Sequence, residues 1–520
     1  MVFVLFRRLF GTSRGNQPLG GLPQAVKFVT MLVLWAATTA IYAGSNVDSQ
    51  VLTIQQRPEF CQSVKVVVEV TGDLTFNAEE KKTKKLPITV EANLLYGEKF
   101  LAPSKDGPRT IRSYQEAKAK MQVNGKDIPQ ELRAERRIVV AHAKGDETLL
   151  FSPLGPVTRD ELELIDVPGR PAGIVGLLPE TAVRVTESWV VTDAALSQLL
   201  CLDAITQQDV KANFAELKDG VALIRFEGKV NGAITGIATE IEVKGSLNID
   251  VSRQSATWLA LMIKENRAVG QAQPGFETVT RVRMVMQPQT NIPELSERAL
   301  AGLTVEPKAG NQLIELATEK GGFVCFHDRR WRSMVDRHDV AVLRLVERGE
   351  PISQCNISSL PPLPAGEQLT LEGFQQDVRA ALDKNFGQFV EAKQSLNESK
   401  IAVLRIVASG VVQDVPIEWI YYHLTDAAGN RASLVFTHTN KQVERIAGQD
   451  QAIVGSFRFK PVKTEVSSVK PVPAPGPATA PVPPATQTKT FTPTVKAPVT
   501  QAKLPAPVTK SPTPAVRTSR

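Results

Sequence analysis

The densest group of side chains that could carry chemistry lies between residues 327 and 339. It reads His327-Asp328-Arg329-Arg330-Trp331-Arg332 and then Asp336-Arg337-His338-Asp339. Two His-Asp pairs are typical of metal-dependent phosphohydrolases, which need further His or Asp ligands on neighbouring elements. Only His423 and His438 follow in the chain, and both fall on predicted strands. The pattern therefore does not favour a metal site, and we predict no metal and no other cofactor.

The arginines of the same run suggest a binding site instead. Guanidinium groups form paired hydrogen bonds with carboxylates and phosphates. The candidate residues for binding an anion or a partner are Arg329, Arg330, Arg332, Arg337 and His338. The competing interpretation is a loop of Arg–Asp ion pairs around Trp331, in which Asp328 and Asp336 neutralise the arginines. The composition of the run favours this second interpretation.

The rest of the sequence offers little for catalysis. Asp160, Glu161 and Glu163 are the nearest approach to a carboxylate pair for acid–base chemistry. They follow Thr158 in the first turn of a predicted helix, where acidic groups offset the helix dipole, so we expect them to be solvated. The chain contains no phosphate-binding loop, no dinucleotide motif and no His-Glu-x-x-His. We predict no catalytic residues and no enzymatic activity.

The charge is distributed unevenly along the chain. The formal net charge is +7, but residues 1–47 contribute +4 and residues 461–520 contribute +7, so the body from 48 to 460 carries −4. Proteins that bind nucleic acids concentrate basic residues on their folded part. This distribution therefore argues against specific nucleic-acid binding.

The amino-terminal segment predicts export. Residues 28–43 are uncharged and apolar, and they follow a basic leader. As a helix they would rise about 24 Å, less than the roughly 30 Å hydrocarbon core of a bilayer. We predict that residues 1–47 are a signal peptide, with a retained transmembrane signal anchor as the alternative. The body would then be periplasmic or extracellular.

The carboxy-terminal segment has the composition of a disordered tail. Residues 461–520 hold 14 of the 35 prolines and one aromatic residue, so they cannot bury enough apolar surface to fold. We predict a basic Pro/Ala/Thr/Val-rich tail from residue 460 onward. Weak, salt-sensitive contact with an anionic polymer or membrane surface is one possible role, and a solvated tail without a binding role is the other.

Export would permit disulfide bonds among the four cysteines. Cys61, Cys201, Cys325 and Cys355 lack the two-residue spacing of a zinc knuckle and can pair in three ways. Cys325 with Cys355 is the preferred bridge, because both fall in one predicted domain and close a loop of about 30 residues. Four buried free thiols are the alternative.

Period-two patterning dominates residues 50–292. Strands are predicted over 64–70, 137–142, 148–151, 221–230, 237–251, 256–263 and 279–286. Thr158 is expected to open one short helix and Asp193 another. The stretch from Pro179 to Trp189 resembles a turn and strand of a family of exported bacterial proteins, and the general pattern resembles lipoprotein-carrier half-barrels. That resemblance implies an apolar hollow for an acyl chain, whereas the pattern itself favours a filled core.

Residues 311–459 follow a linker at 293–310 and have a compact α/β pattern. Thr370 is expected to cap a helix whose apolar residues recur every three or four positions. A helix over 440–446 and a closing strand over 452–459 are also predicted. The helix start Leu-Thr-Leu-Glu-Gly-Phe, the hairpin through Trp419-Ile-Tyr-Tyr422 and the segment Ile453–Phe459 together resemble the PsbP-like α/β/α sandwich. This resemblance implies a chiefly non-catalytic, partner-binding domain.

The sequence thus predicts an α+β protein with an antiparallel β-rich domain, a PsbP-like α/β/α sandwich domain and a disordered Pro-rich tail. The favoured function is non-enzymatic interaction or scaffolding in the cell envelope, with envelope proteins as partners. A carrier of lipids or hydrophobic ligands through the β-rich domain is the alternative. A hydrolase at the His-Asp run is the least favoured.

Overall fold

The computed structural model describes residues 49–77, 83–105, 107–144, 147–318, 322–336, 340–364 and 367–460. This part of the chain is mostly antiparallel β-sheet. The predicted export signal, the predicted tail, Arg337 and His338 lie outside the described residues. Within those ranges, no helix combines the length and the apolar character needed to cross a bilayer.

A 13-stranded sheet organises the first region. The first seven strands of the chain are β1 Cys61–Asn77, β2 Thr83–Ser104, β3 Gly107–Val123, β4 Lys126–Glu131, β5 Ile138–Lys144, β6 Glu147–Phe151 and β7 Val157–Thr158. The next seven are β8 Ser188–Val190, β9 Ala204–Gln208, β10 Lys211–Lys218, β11 Val221–Ile234, β12 Ile237–Asp250, β13 Ser255–Arg267 and β14 Gly275–Gln289. All except β7 belong to this sheet.

The order along the sheet is β6-β5-β3-β2-β1-β14-β13-β12-β11-β10-β8, with β4 beside β3 and β9 beside β11. Most neighbours are also consecutive in the chain and are therefore joined by turns. The pairs β3–β5, β8–β10 and β9–β11 skip one strand each, and the long-range exception is β1, which pairs with β14 from Cys61 opposite Gln289 to Thr75 opposite Gly275. This long-range pairing brings the start and the end of the first region together at the centre of the sheet.

One face of the sheet is apolar because alternate residues of a strand point to opposite faces. In β12, Ile241 and Val243 are buried while Glu240 and Lys244 are exposed. The apolar face packs on three short helices, α1 Arg159–Ile165, α2 Pro171–Gly176 and α3 Asp193–Leu200. Helix α1 starts as its sequence predicts, because Thr158 and Glu161 form a reciprocal capping box.

A seven-stranded antiparallel sheet organises the second region. Its strands are β17 Trp331–Asp336, β18 Val340–Glu347, β19 Glu350–Leu360, β20 Phe386–Leu396, β21 Ala402–Val412, β22 Val415–Thr425 and β23 Arg431–Thr439, in the order β17-β18-β19-β23-β22-β21-β20. The helices that follow α3 are α4 Glu297–Leu300, α5 Leu371–Leu382, α6 Val443–Ile446 and α7 Gln449–Gly455. Helix α5 packs on one face of the sheet through Phe374 and Val378. Helix α7 contributes Ile453 and Val454 to a second core that contains Trp331.

A four-stranded sheet joins the two regions. It has the order β24-β16-β15-β7 and includes β15 Ile314–Ala317, β16 Phe323–His327 and β24 Arg458–Phe459. Strand β7 comes from the first region and runs parallel to β15, with Val157 opposite Ile314. Helix α1 begins directly after β7, so this pairing positions α1 against the second region.

Most sequence-based strand predictions for the first region are confirmed, but several predicted elements were wrong. The strands at 83–104 and 107–123, which are among the longest in the molecule, were not predicted. Thr192, not Asp193, caps α3, because its hydroxyl accepts the hydrogen bond from the Ala195 amide. The closing strand predicted over 452–459 is the helix α7 followed by a two-residue strand.

Candidate functional site

A cavity of about 860 Å³ lies between the large sheet and the second region. Its floor is the apolar face of neighbouring strands β1, β14 and β13, where Val70, Thr280 and Ile263 form one row of directly paired residues. Phe276 and Ile241 extend this floor on either side. The volume is within the roughly 300–1,000 Å³ range of pockets that enclose small organic ligands.

The cavity is also strongly charged, on the floor as well as on the facing wall, because Glu265 and Arg267 of strand β13 share the face of Ile263. Seven arginines and six carboxylates line it, so the lining has an excess of one positive charge when all groups are ionised. The arginines are Arg159, Arg170, Arg267, Arg329, Arg330, Arg332 and Arg348. A cavity with an apolar floor and a charged wall can hold a molecule that has one apolar part and one polar part.

Glu163 of helix α1 is a buried carboxylate in this wall. Its side chain has no hydrogen bond among the described residues, and its Oε2 atom is fully enclosed. Burial raises the pKa of Glu163 to about 7, while the positive charges of Arg159 and Arg332 act in the opposite direction. The expectation that the acids of this helix are solvated was therefore wrong for Glu161 and Glu163, which are 3% and 7% exposed.

Arg332 reaches the cavity from the second region. Trp331 is fully buried in the core of that region, and the next residue of strand β17 points to the other face, towards the first region. The Arg332 guanidinium makes no hydrogen bond to any described residue, and no ion pair joins it directly to Glu163. Burial lowers the pKa of Arg332, while the charges of Glu163 and Asp203 act to raise it.

Other arginines of the wall have structural partners. The Arg159 guanidinium donates to the carbonyl oxygens of Arg329, at 2.5 Å, and Trp331, at 3.3 Å. Arg329 donates to the carbonyl oxygens of Gln312, at 2.7 Å, and Leu150, at 2.6 Å. These contacts hold the second region against the first.

The predicted ion-pair loop is present in part. Arg330 donates to Asp328 Oδ1 at 3.0 Å and to Glu347 Oε1 at 3.0 Å. These contacts hold the pKa of Arg330 above its usual value, with burial opposing them. Arg329 and Arg332 are not paired with Asp328 through a hydrogen bond. The structure thus brings Arg329, Arg330 and Arg332 to one cavity.

Two further contacts fix the regions around the cavity. Arg133 donates to Glu161 Oε1 at 2.6 Å and to Glu315 Oε1 at 2.9 Å, and so bridges helix α1 and strand β15. Gly236 and Gly349 bring the two backbones close, since a Cβ atom at Gly236 would lie 2.3 Å from the Gly349 nitrogen. Both arrangements join the first region to the second.

The remaining predicted chemistry is distributed over the second region. His327 is buried, with Nδ1 2.8 Å from the Asp328 carbonyl oxygen, and it does not line the cavity. His423 and His438 are buried in the seven-stranded sheet. No group of three His, Cys, Asp or Glu side chains that could hold a metal ion occurs in the described ranges.

Cys325 and Cys355 lie in the same buried core of the second region. The structure has both as thiols, without a disulfide between them. Burial raises the pKa of Cys355, and the nearby Cys325 raises it further. The two residues thus share a core, and their oxidation in an exported protein stays a prediction.

Sequence reasoning missed the cavity residues outside the arginine run. Glu163, Asp203 and Arg267 come from three distant segments, and no local motif connects them. Burial lowers the pKa of Arg267, while Glu265 and Asp203 act to raise it. One signal of the burial of Glu163 was available in the sequence. Leu162, Leu164 and Ile165 are three apolar residues in a seven-residue helix, so few positions of this helix can face solvent.

A second, open groove of about 580 Å³ lies on the solvent-facing side of the large sheet. Its exposed basic residues are Lys211, Arg225, Lys244, Arg281 and Arg283. Two of them are paired: Arg283 with Glu69 at 2.6 Å, and Lys244 with Glu227 at 3.0 Å. The groove keeps an excess of positive charge.

Comparison with known proteins gives no family for the chain. No family model matches it, and no curated protein matches it. Among solved structures, the chain is similar to cyanobacterial PsbP (CyanoP) from Synechocystis sp. PCC 6803, with 13% identity, a TM-score of 0.24, and coverage of 28% of this chain and 92% of that chain.

Two other solved structures are similar to the chain with comparably low identities and TM-scores. The Ran-binding protein Mog1p of Saccharomyces cerevisiae has 9% identity and a TM-score of 0.23, covering 28% of this chain and 95% of its own. Lipovitellin has 8% identity and a TM-score of 0.26, covering 49% of this chain and 26% of its own. The PsbP and lipovitellin matches fit the two resemblances noted in the sequence, but at these scores they carry no argument about function.

Proposed function

We propose that the protein is an exported, non-enzymatic carrier that binds one hydrophobic or amphipathic molecule in the cavity between its two regions. The observation that carries the proposal is the combination of an 860 Å³ volume and an apolar floor on the face of a sheet. The filled core that the sequence pattern favoured for residues 50–292 is compatible with this space, because the cavity lies between that core and the second region. The second region, proposed to be a PsbP-like α/β/α sandwich, would cover the ligand and supply polar contacts.

The test is binding of the neutral fluorescent probe N-phenyl-1-naphthylamine to the full chain. The carrier proposal predicts a saturable rise in fluorescence with one probe per chain. Thr280→Trp places a large ring on the cavity floor and is expected to reduce this binding at least tenfold.

Val279→Trp is the matched control for that variant. Val279 is the neighbouring residue of strand β14 and points to the other face of the sheet, so its substitution is expected to leave probe binding within about twofold. Equal binding by the wild type and both variants would place the probe outside the cavity and contradict the proposal. Absence of probe binding to the wild type would contradict it as well.

A second candidate function is interaction or scaffolding in the envelope, which the sequence favoured. It is supported by the basic groove on the outer face of the large sheet, where Arg225 and Arg281 are exposed. A basic groove attracts anionic partners in a salt-dependent manner. The tail is proposed to add weak contact with an anionic polymer or membrane surface.

Retention on an anionic polymer matrix at low salt separates these two contributions. A chain ending at Lys460 loses retention if the tail is responsible. Arg225→Gln combined with Arg281→Gln loses it if the groove is responsible. Unchanged retention in both variants, or no retention of the full chain, would contradict the second candidate.

A further inference from the structure

The polar wall of the cavity shows which chemical class of ligand fits it. Arg332 enters from strand β17, opposite the apolar floor, and its guanidinium has no hydrogen-bonded partner among the described residues. A guanidinium has five N–H donors, and the half-buried Arg332 directs them into the cavity, where only water or a ligand can accept from them. An arginine in this position is therefore suited to an acceptor that the chain itself does not provide.

The carboxylate that faces Arg332 does not satisfy it. Glu163 is buried, lacks a hydrogen bond of its own among the described residues and forms no direct ion pair with Arg332. The two groups influence each other only through their charges. Both residues line the same cavity, whose space is open to a ligand group.

The other charges around the cavity make this space suitable for an anion. Arg170 is paired with Asp166 at 2.7 Å, and Arg330 is paired with Asp328 and Glu347. In these pairs the carboxylates neutralise the arginines. Arg332 is thus a charged donor in the wall whose guanidinium makes no hydrogen bond to a described residue.

We propose that the ligand is an amphipathic anion, whose carboxylate or phosphate head group binds Arg332 and whose aliphatic tail lies on the floor formed by Val70, Thr280 and Ile263. This inference rests on the proposed carrier function and adds the chemical class of the ligand. It also gives the second region a defined role, because the head-group site is incomplete without strand β17.

The test compares three molecules that share a dodecyl tail: dodecanoate, dodecyl phosphate and dodecanol. Each displaces N-phenyl-1-naphthylamine from the full chain, below its critical micelle concentration. Because a hydrogen bond to a charged group contributes more than a neutral one, both anions are expected to bind about tenfold more tightly than dodecanol. Inorganic phosphate is the fourth arm and is expected to displace no probe, because it lacks a tail.

Arg332→Gln is expected to weaken both anions about tenfold and to leave dodecanol unchanged. Arg348→Gln is the matched control, because Arg348 also lines the cavity but is exposed to solvent; it is expected to change anion binding less than about twofold. Glu163→Gln removes the negative charge that faces Arg332 and is expected to strengthen anion binding about threefold. This gain cannot result from misfolding.

The possible results separate the two proposals. If dodecanol binds as tightly as the anions, the carrier function stands and the anion site is wrong. The anion site is also wrong if Arg332→Gln weakens all three molecules equally or none of them. If neither the probe nor any dodecyl compound binds, the carrier function itself is wrong. If inorganic phosphate displaces the probe and the dodecyl compounds do not, the ligand is a free anion and the proposal of an amphipathic ligand is wrong.

Discussion

Replacing Glu163 by Gln should stabilise the protein at neutral and alkaline pH. In the folded chain the pKa of this carboxyl is about 7, against an ordinary value of 4.5, because burial penalises its charged form. A carboxyl whose pKa is raised on folding favours the folded state most below its unfolded pKa, and this contribution is lost as the pH rises towards the folded pKa. The wild type therefore loses stability between pH 4.5 and 7, and Glu163→Gln does not.

The size of the effect follows from the two pKa values. At about 1.4 kcal/mol for each pKa unit, the rise from 4.5 to about 7 corresponds to about 3 kcal/mol, which is an upper bound because the glutamine amide must also be accommodated. Urea unfolding from pH 4.5 to 8.5 measures the difference between variant and wild type. We expect this difference to be near zero at pH 4.5, to grow up to pH 7 and then to stay constant.

Glu372→Gln is the control for the loss of a carboxylate. Glu372 is exposed on helix α5, and its substitution is expected to change the free energy of unfolding by less than about 0.5 kcal/mol. A difference between Glu163→Gln and wild type that does not vary with pH would refute the buried position assigned to Glu163. So would destabilisation at every pH.

Three further predictions concern the packing around the cavity and the second sheet. Arg133→Ala removes the main partner of two buried carboxylates, Glu161 and Glu315, and should cost about 3 kcal/mol in urea unfolding, whereas Arg137→Ala, at an exposed pair, should cost less than about 1 kcal/mol. Gly236→Ala should lower the melting temperature more than Gly220→Ala, because both glycines have a positive φ but only Gly236 touches the second region. Equal shifts would mean that backbone strain, and not the contact with the second region, determines the effect. Burial lowers the pKa of His423 from 6.5 to about 4. The free energy of unfolding of the wild type should therefore fall by about 3 kcal/mol as the pH falls from 6.5 to 4. A His423→Gln variant that shows the same fall would contradict the buried, neutral state of His423.

The alternation of apolar and polar residues predicted the strands of the first region well where the apolar residues are large, as in β12. The same alternation is present in β2, where Val90 and Ala92 are buried and the residues between and after them are exposed and polar. Two lysines and a proline precede this stretch, so its apolar pattern is weaker than that of β12. In β3 the buried residues include Ala117 and Ala119, whose small side chains and Lys neighbours give a pattern that also fits a helix.

The cavity itself was not predictable from local pattern. Arg332 was recognised as a candidate for anion binding because it lies in a dense run of arginines. Glu163 was expected to be solvated, because a capping box indicates where a helix begins and not what the helix packs against. Helix α1, which carries Glu163, is positioned against the second region by the parallel pairing of β7 with β15, two strands more than 150 residues apart in sequence. This tertiary pairing also leaves the space that favours the carrier proposal over the scaffolding function.

A crystal structure of the full chain with bound dodecyl phosphate would test the central proposal most directly. The proposal predicts the aliphatic tail along Val70, Thr280 and Ile263, with the head group about 3 Å from the Arg332 guanidinium. A ligand bound outside the cavity between the two regions, or a cavity that holds only water at saturating ligand, would contradict it.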